Sequence, residues 1–279
     1  MQRVTTLKQL AEAVASARER ELEVALVPTM GALHDGHLSL IREARKHTPF
    51  VVVSIFVNPL QFGAGEDFDK YPRDIEADAK KLEQMAVDVL FTPTVNDLYR
   101  GNMDVTESAG KIGEIYEGAV RPGHFDGMLT VVARLFEAVR PDFAVFGAKD
   151  AQQLFLIRQM ARSKFPTLKI IEAPTIREVS GLAMSSRNQY LDAKNLEVAS
   201  KLSAALRVGQ GAAAISPAVV IDAVRSQMLE VPEAKLDYVA LVEADTFEPV
   251  VTGFSGRAIL LIAAVVGQTR LIDNIDIKF

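Results

Sequence analysis

The chain has 279 residues, 49% of them hydrophobic and 24% charged, with a formal net charge of −5. That is ordinary globular material, long enough for two cores, and its acidity argues against a general nucleic-acid binder while leaving room for a locally basic site that holds a small polyanion. The absence of cysteine excludes disulfides, thiolate metal sites and a cysteine nucleophile.

The opening run MQRVTTLKQLAEAVASARERELEV is charged and amphipathic, with no apolar secretory core. The most apolar run, AILLIAAVV at 258–266, is too short to span a bilayer and is rich in strand formers. The expectation is a soluble, cytoplasmic protein with no membrane partner.

The elements then alternate. Leu7, Leu10 and Val14 recur at helical spacing over 5–20, with Thr5 or Thr6 as cap. Residues 22–28 (LEVALVP) read as a buried strand, and 37–46 as a helix. A strand over 50–59, a helix over 73–86 and a strand over 87–93 follow. Next come a helix over 125–139, a strand over 142–147, a helix over 150–164 and a strand over 168–174. Apolar strands separated by amphipathic helices predict an α/β fold: a doubly wound parallel sheet, Rossmann-like, with helices on both faces.

After MSSRNQYLD the pattern changes. Asp192 can cap a helix to about Val208, and Ser216 with Pro217 starts another. Strand-like runs at 236–244, 257–266 and 270–277 follow, which predicts a smaller α+β domain. The boundary is placed at 176, with domains 1–176 and 177–279.

Such sheets bind ligands at the carboxyl ends of their strands. Those ends read VPTMGALHDGH, SIFVNPLQF, VFGAKDAQQ and APTIREVSGLAMSSRN, and nearly all unusual polar clusters lie in them. His34 and His37 stand at the first. They could cap a helix or share a metal ion, for which only His47 and His124 remain as further imidazoles. They could also serve an anion, since a helix N-terminus offers free N–H groups and a positive dipole end.

The string H-x-G-H after a strand resembles the signature of the nucleotidyltransferase superfamily, which includes class I aminoacyl-tRNA synthetases. MSSRN at 184–188 resembles that superfamily's second phosphate loop, with Arg187 as the cation. Its other reading is a polar turn before the next helix. In FGAKDAQQ, Gly147 permits close backbone approach and Lys149 suits a phosphate. Asp150 is a site residue or an N-cap. Gln153, three residues on, shares a helical face with it and can orient a hydroxyl or carboxylate without competing charge. Gln61 lies among Phe56, Pro59, Leu60 and Phe62, a setting suited to a small pocket or to a surface loop. Arg121 is a phosphate ligand or a salt-bridge partner.

Six linked segments, PTMGALHDGH, VSIFVNPLQF, RPGHFDG, FGAKDAQQ, GLAMSSRNQYL and TRLIDN, resemble the pantothenate synthetase (pantoate–β-alanine ligase) family in order and spacing. The resemblance implies two half-reactions. Pantoate carboxylate attacks the α-phosphate of ATP, giving bound pantoyl adenylate and pyrophosphate; β-alanine then displaces AMP. It implies an ATP site lined by Met30, Gly31, Ala32, Leu33, His34, Asp35, Gly36, His37, Gly147, Ala148, Lys149, Asp150, Ile176, Met184, Ser185, Ser186 and Arg187. The Ile176 backbone would meet the adenine. His37, His34, Lys149 and Arg187 would carry the chemistry, with His37 as proton donor. Gln61, Gln153 and Arg121 would hold pantoate and β-alanine. Mg²⁺ would bridge ATP phosphates with no protein ligand assigned, the second domain would act as a lid, and the chain would be a homodimer. Ala148 and Ala151 depart from the Glu and Tyr more usual in that segment.

The rivals are a nucleotidyltransferase that leaves the nucleotide on its product and a nucleotide-sensing binding protein. A second-substrate pocket with two glutamines argues against a sensor. Length, acidity and the lack of an anticodon-binding module argue against a tRNA synthetase.

Overall fold

The structure is a computed structural model that describes residues 1–63, 65, 66 and 68–279. In chain order the first part holds β1 (Gln2–Val4), α1 (Leu7–Glu19), β2 (Val24–Thr29), α2 (Asp35–Ala44) and β3 (Phe50–Ile55). Then come α3 (Ile75–Gln84), β4 (Val89–Phe91), α4 (Val95–Tyr99), α5 (Glu117–Val120) and α6 (His124–Val139). β5 (Phe143–Gly147), α7 (Ala151–Lys164) and β6 (Lys169–Ala173) complete it. The remainder holds α8 (Ala193–Gly211), α9 (Pro217–Leu229), β7 (Ala234–Glu243), β8 (Arg257–Val266) and β9 (Thr269–Lys278).

The chain forms two compact units, 1–147 with 156–173, and 148–155 with 174–279. In the first, six strands form a sheet in the order β1-β4-β3-β2-β5-β6. Each neighbouring pair is parallel. The central strands are buried on both faces: Val24, Ala25, Leu26 and Val27 of β2 and Val51, Val52 and Val53 of β3 have no exposed surface. Unbroken apolar runs therefore give central strands of a helix-covered sheet rather than a solvated one. Ala25, Val27, Val51, Val53 and Val145 pack with Ile41 and Ala44 of α2 and Leu82 of α3. The expected doubly wound parallel sheet is the one observed.

The order of strands reverses beside β2. From β2 the chain proceeds outward through β3 to β4, and β5 and β6 are laid on the opposite side. The carboxyl end of β2 is therefore the topological switch point, where this architecture opens a crevice. His34 and His37 follow that end within eight residues of Thr29.

The second unit packs α8 and α9 on the antiparallel sheet β7-β8-β9. Its core joins Leu202 and Leu206 of α8, Val220 and Val224 of α9, and Leu260, Ile262 and Ala264 of β8. The AILLIAAVV run is the central strand of this sheet, not a membrane segment. Among the described residues no helix is long and apolar enough to cross a membrane.

Several features differ from the sequence expectation; α5 was not foreseen, and the strand expected over 50–59 ends at Ile55, where Pro59–Gln61 turns into a 3₁₀ helix. β1 and α4 were not foreseen, because three and five residues are too few to show a period. The helix expected from His37 begins at Asp35, because His34 itself is its N-cap.

Candidate active site

In the first unit, β2 runs into a turn in which Gly31 and Ala32 both have left-handed backbone, φ +86° and +50°. The turn delivers His34 to the N-cap of α2. The His34 Nδ1 accepts the Gly36 N–H at 3.1 Å, and the His37 Nδ1 accepts the His34 N–H at 3.3 Å. The two rings lie 4.1 Å apart. The imidazoles thus form a reciprocal capping box, usually the work of Ser or Thr with Glu or Gln. This has a chemical consequence. An Nδ1 that accepts a hydrogen bond leaves the neutral ring's proton on Nε2. Both rings are therefore set as Nε2–H donors at a helix N-terminus, the end that favours negative charge.

Gln61 closes a short 3₁₀ turn after β3 and is 7% exposed. Asn58, 1% exposed, organises that turn with all four of its side-chain bonds. Its Oδ1 accepts the Leu60 N–H and the Tyr99 hydroxyl at 3.2 and 2.7 Å. Its Nδ2 donates to the Gly127 carbonyl at 3.0 Å and to Gln61 Oε1 at 3.3 Å. The Gln61 amide nitrogen then faces the Met30 sulfur at 2.9 Å. The Gln61 amide is thereby fixed at both ends, its oxygen on Asn58 and its nitrogen at Met30; a primary amide carries a second N–H, which suits a carboxylate or hydroxyl. Burial pushes the Tyr99 phenol well above its ordinary value, so it stays a neutral donor.

The Gln61 main chain is held as firmly. His124 Nδ1 lies 2.7 Å from the Gln61 carbonyl, so Nδ1 carries the proton; His124 Nε2 faces the Arg121 guanidinium at 3.0 Å and accepts from it. Arg121 also makes a two-point pair with Glu66 at 2.9 and 2.6 Å. Partial burial raises the Glu66 carboxyl, but the bond and charge of Arg121 outweigh this and hold it below its ordinary value. Arg121 stands behind Gln61 as an ion-pair partner.

The second unit holds the other set. The Asn274 side-chain amide donates to the carbonyls of Ala148 and Lys149 at 3.0 and 2.7 Å. This pins the turn before α7. Lys149 Nζ stands 3.9 Å from Asp150 Oδ1, and the Asp150 carbonyl accepts the Leu154 N–H in the first turn of α7. Gln153, partly buried, lies on that turn. Residues 174–185 form a narrow loop. The Ile176 carbonyl accepts the Met184 N–H, and Arg177 pairs with Ala183 across it. Arg177 grips buried Asp273 with two bonds of 2.6 and 2.9 Å. Ser185 caps the turn that carries Ser186 and Arg187, its Oγ accepting the Arg187 N–H at 3.2 Å. Gly147, the last residue of β5, belongs to the first unit.

The first unit thus gathers Met30, His34, His37, Gln61 and Arg121, and the second Lys149, Asp150, Gln153, Ile176, Ser185, Ser186 and Arg187. Asn58, His124 and Asn274 were not singled out from the sequence. Each lies inside a quoted segment, but its role is a hydrogen bond to a residue distant in the chain. Among the described residues no group of three His, Asp or Glu could hold a metal ion.

A family model described as pantoate-beta-alanine ligase matches residues 2–276. The chain belongs to the pantoate-beta-alanine ligase family. It is 48% identical to a pantothenate synthetase of Leifsonia xyli, over 97% of this chain and 94% of that protein. It is 49% identical to one from Mycobacterium sp. strain KMS, over 97% and 86%. Among solved structures, pantothenate synthetase from Thermus thermophilus superposes with a TM-score of 0.90 at 43% identity, covering 99% of both chains. Pantoate-beta-alanine ligase from Francisella tularensis, complexed with a βγ-ATP ligand and β-alanine, gives 0.79 at 36% identity, over 99% and 97%. The match to this ligase family covers every site residue described above.

Proposed function

We infer that this chain condenses pantoate with β-alanine, using ATP and releasing AMP and pyrophosphate. The observation that carries the reading is the family match across residues 2–276, which takes in all six motif segments. A pantoate carboxylate oxygen attacks the α-phosphorus, the bond to the β-phosphate oxygen breaks, and pyrophosphate leaves. The β-alanine amine then attacks the acyl carbon, loses a proton, and AMP departs with the carboxylate oxygen.

A carboxylate is already a nucleophile, so the first step needs charge neutralisation and alignment more than acid–base chemistry. The Nε2–H donors of His34 and His37 serve the oxygens on which charge accumulates, and His37 is the proton donor. Met30, Gly31, Ala32, Leu33, Asp35 and Gly36 line the ATP site from the first unit. Gly147, Ala148, Lys149, Asp150, Met184, Ser185, Ser186 and Arg187 line it from the 147–150 turn and the 184–187 loop, with Lys149 and Arg187 as cations. The Ile176 backbone meets the adenine. Gln61 and Gln153 hold pantoate, Gln61 also reaches β-alanine, and Arg121 supports that pocket. Mg²⁺ enters as the complex of ATP, on the phosphate oxygens. A division at 176, a lid role for 177–279, a homodimer and a cytoplasmic location complete the proposal.

The test is an assay of AMP formation with each substrate omitted in turn. AMP release that needs both pantoate and β-alanine is the expected result. AMP formed regardless of both omissions would overturn the assignment.

A further inference from the structure

The left-handed turn before His34 is not a conformation that Ala32 would choose. Left-handed backbone is unfavourable for a residue with a Cβ. Such a state persists only where its surroundings over-determine it. Two groups on α3 do this. Asp78, 2% exposed, accepts the Leu33 N–H on Oδ1 at 2.8 Å. Lys81, three residues on and so on the same helical face, donates from Nζ to the Leu33 carbonyl at 2.5 Å. One turn of α3 therefore holds both polar groups of a single buried peptide residue.

The turn is held at its other end as well. The Thr29 hydroxyl donates to the Ser54 carbonyl at 2.8 Å and accepts the Gly31 N–H at 3.3 Å. Gly31 and Ala32 are suspended between these anchors. A Cβ at Gly31 would lie 3.1 Å from Asp78 Oδ2, so the turn packs directly on the carboxylate. Leu33 is followed directly by His34, whose own N–H and ring complete the capping box of α2. The charges of Asp78 and Lys81 oppose each other, so the grip adds little net repulsion to a site for an anion.

We propose that Asp78 and Lys81 are positioning residues for ATP, a clamp from α3 that holds Leu33 so that His34 and His37 present their Nε2–H donors in register. The inference rests on the reading of the His34–His37 loop as part of the ATP site. Neither residue touches the nucleotide in this scheme; both act through Leu33.

The test compares Asp78→Ala, Asp78→Asn, Lys81→Met and His37→Ala in the full-length protein, by kcat/KM for ATP, KM for β-alanine and thermal unfolding. Asp78→Ala is expected to lower kcat/KM for ATP about tenfold, the scale of one lost hydrogen bond to a charged group. The KM for β-alanine should move less than about twofold on the same reckoning. Asp78→Asn keeps an oxygen for the Leu33 N–H and should recover most of the loss. Lys81→Met should fall between. Should Asp78→Ala fail to fold, Lys81→Met and Asp78→Asn still decide. Wild-type ATP kinetics in Lys81→Met would overturn the clamp, as would Asp78→Asn being as damaging as Asp78→Ala. Lowered melting temperature with intact ATP kinetics, while His37→Ala is crippled, would overturn the clamp and leave the site reading standing. His37→Ala with intact turnover would remove the site reading itself, and the clamp's role with it.

Discussion

On the proposed reading, His37 does two jobs with two nitrogens. Nδ1 closes the cap of α2 on the His34 N–H, which in the neutral ring puts the proton on Nε2. Replacing it by alanine therefore separates the two. The cap contributes about 1 kcal/mol or less, since half of the box remains. The donor at developing phosphate charge contributes far more, about a hundredfold or greater in kcat. His37→Ala should accordingly lower kcat steeply while moving the melting temperature by a few degrees, which turnover assays and a thermal melt check together. Equal proportional losses would mark the pair as a cap alone. At this scale the two histidines were legible as unusual, because imidazoles seldom stand together at a strand-to-helix switch. A cap was one of the readings open for them; the reciprocal Nδ1 bonds that make it were not legible, nor was Asp78, since the partner of each is a backbone group that no side-chain pattern announces. Asn58 was hidden for the same reason: three of its four partners lie on other elements or on the peptide chain.

At the scale of elements, the contact of α6 with the turn after β3 positions Gln61. Gly127 is the point of closest approach: an added Cβ would fall 2.0 Å from the Leu60 carbonyl oxygen and 2.9 Å from the Gln61 nitrogen. Gly127→Ala must therefore push the turn away, and overpacking of this kind costs about 1–3 kcal/mol. It should also raise the KM for pantoate more than that for ATP, which steady-state kinetics with each substrate varied will show. In the second unit, Arg177 ties the 174–185 loop to β9 through Asp273, whose side chain is 3% exposed. Arg177→Met would strand a buried carboxylate, a loss of about 3–5 kcal/mol by chemical denaturation. Arg177→Met with Asp273→Asn should recover part of it. The TRLIDN segment was recognisable in the sequence without any role. The structure shows why it matters: Asp273 holds the Arg177 loop, and the adjacent Asn274 holds the Ala148–Lys149 turn. The long periodic elements were legible throughout, because central strands of a covered sheet are apolar without interruption. β1 was not, since its three residues gain their structure from pairing with β4 rather than from any pattern of their own.

For the whole molecule, the central claim is that pantoate oxygen attacks phosphorus before the amine attacks carbon. The parallel sheet places the paired histidines at the switch between β2 and β5, where this architecture binds its ligands. The chain belongs to a ligase family over nearly its full length. The decisive measurement follows one oxygen atom. Pantoate labelled with ¹⁸O in its carboxylate is turned over with ATP and β-alanine, and the AMP is weighed by mass spectrometry. The account predicts one ¹⁸O in the phosphate of AMP for each turnover of doubly labelled pantoate. AMP without label, alongside pantothenate formed in equal amount, would contradict it.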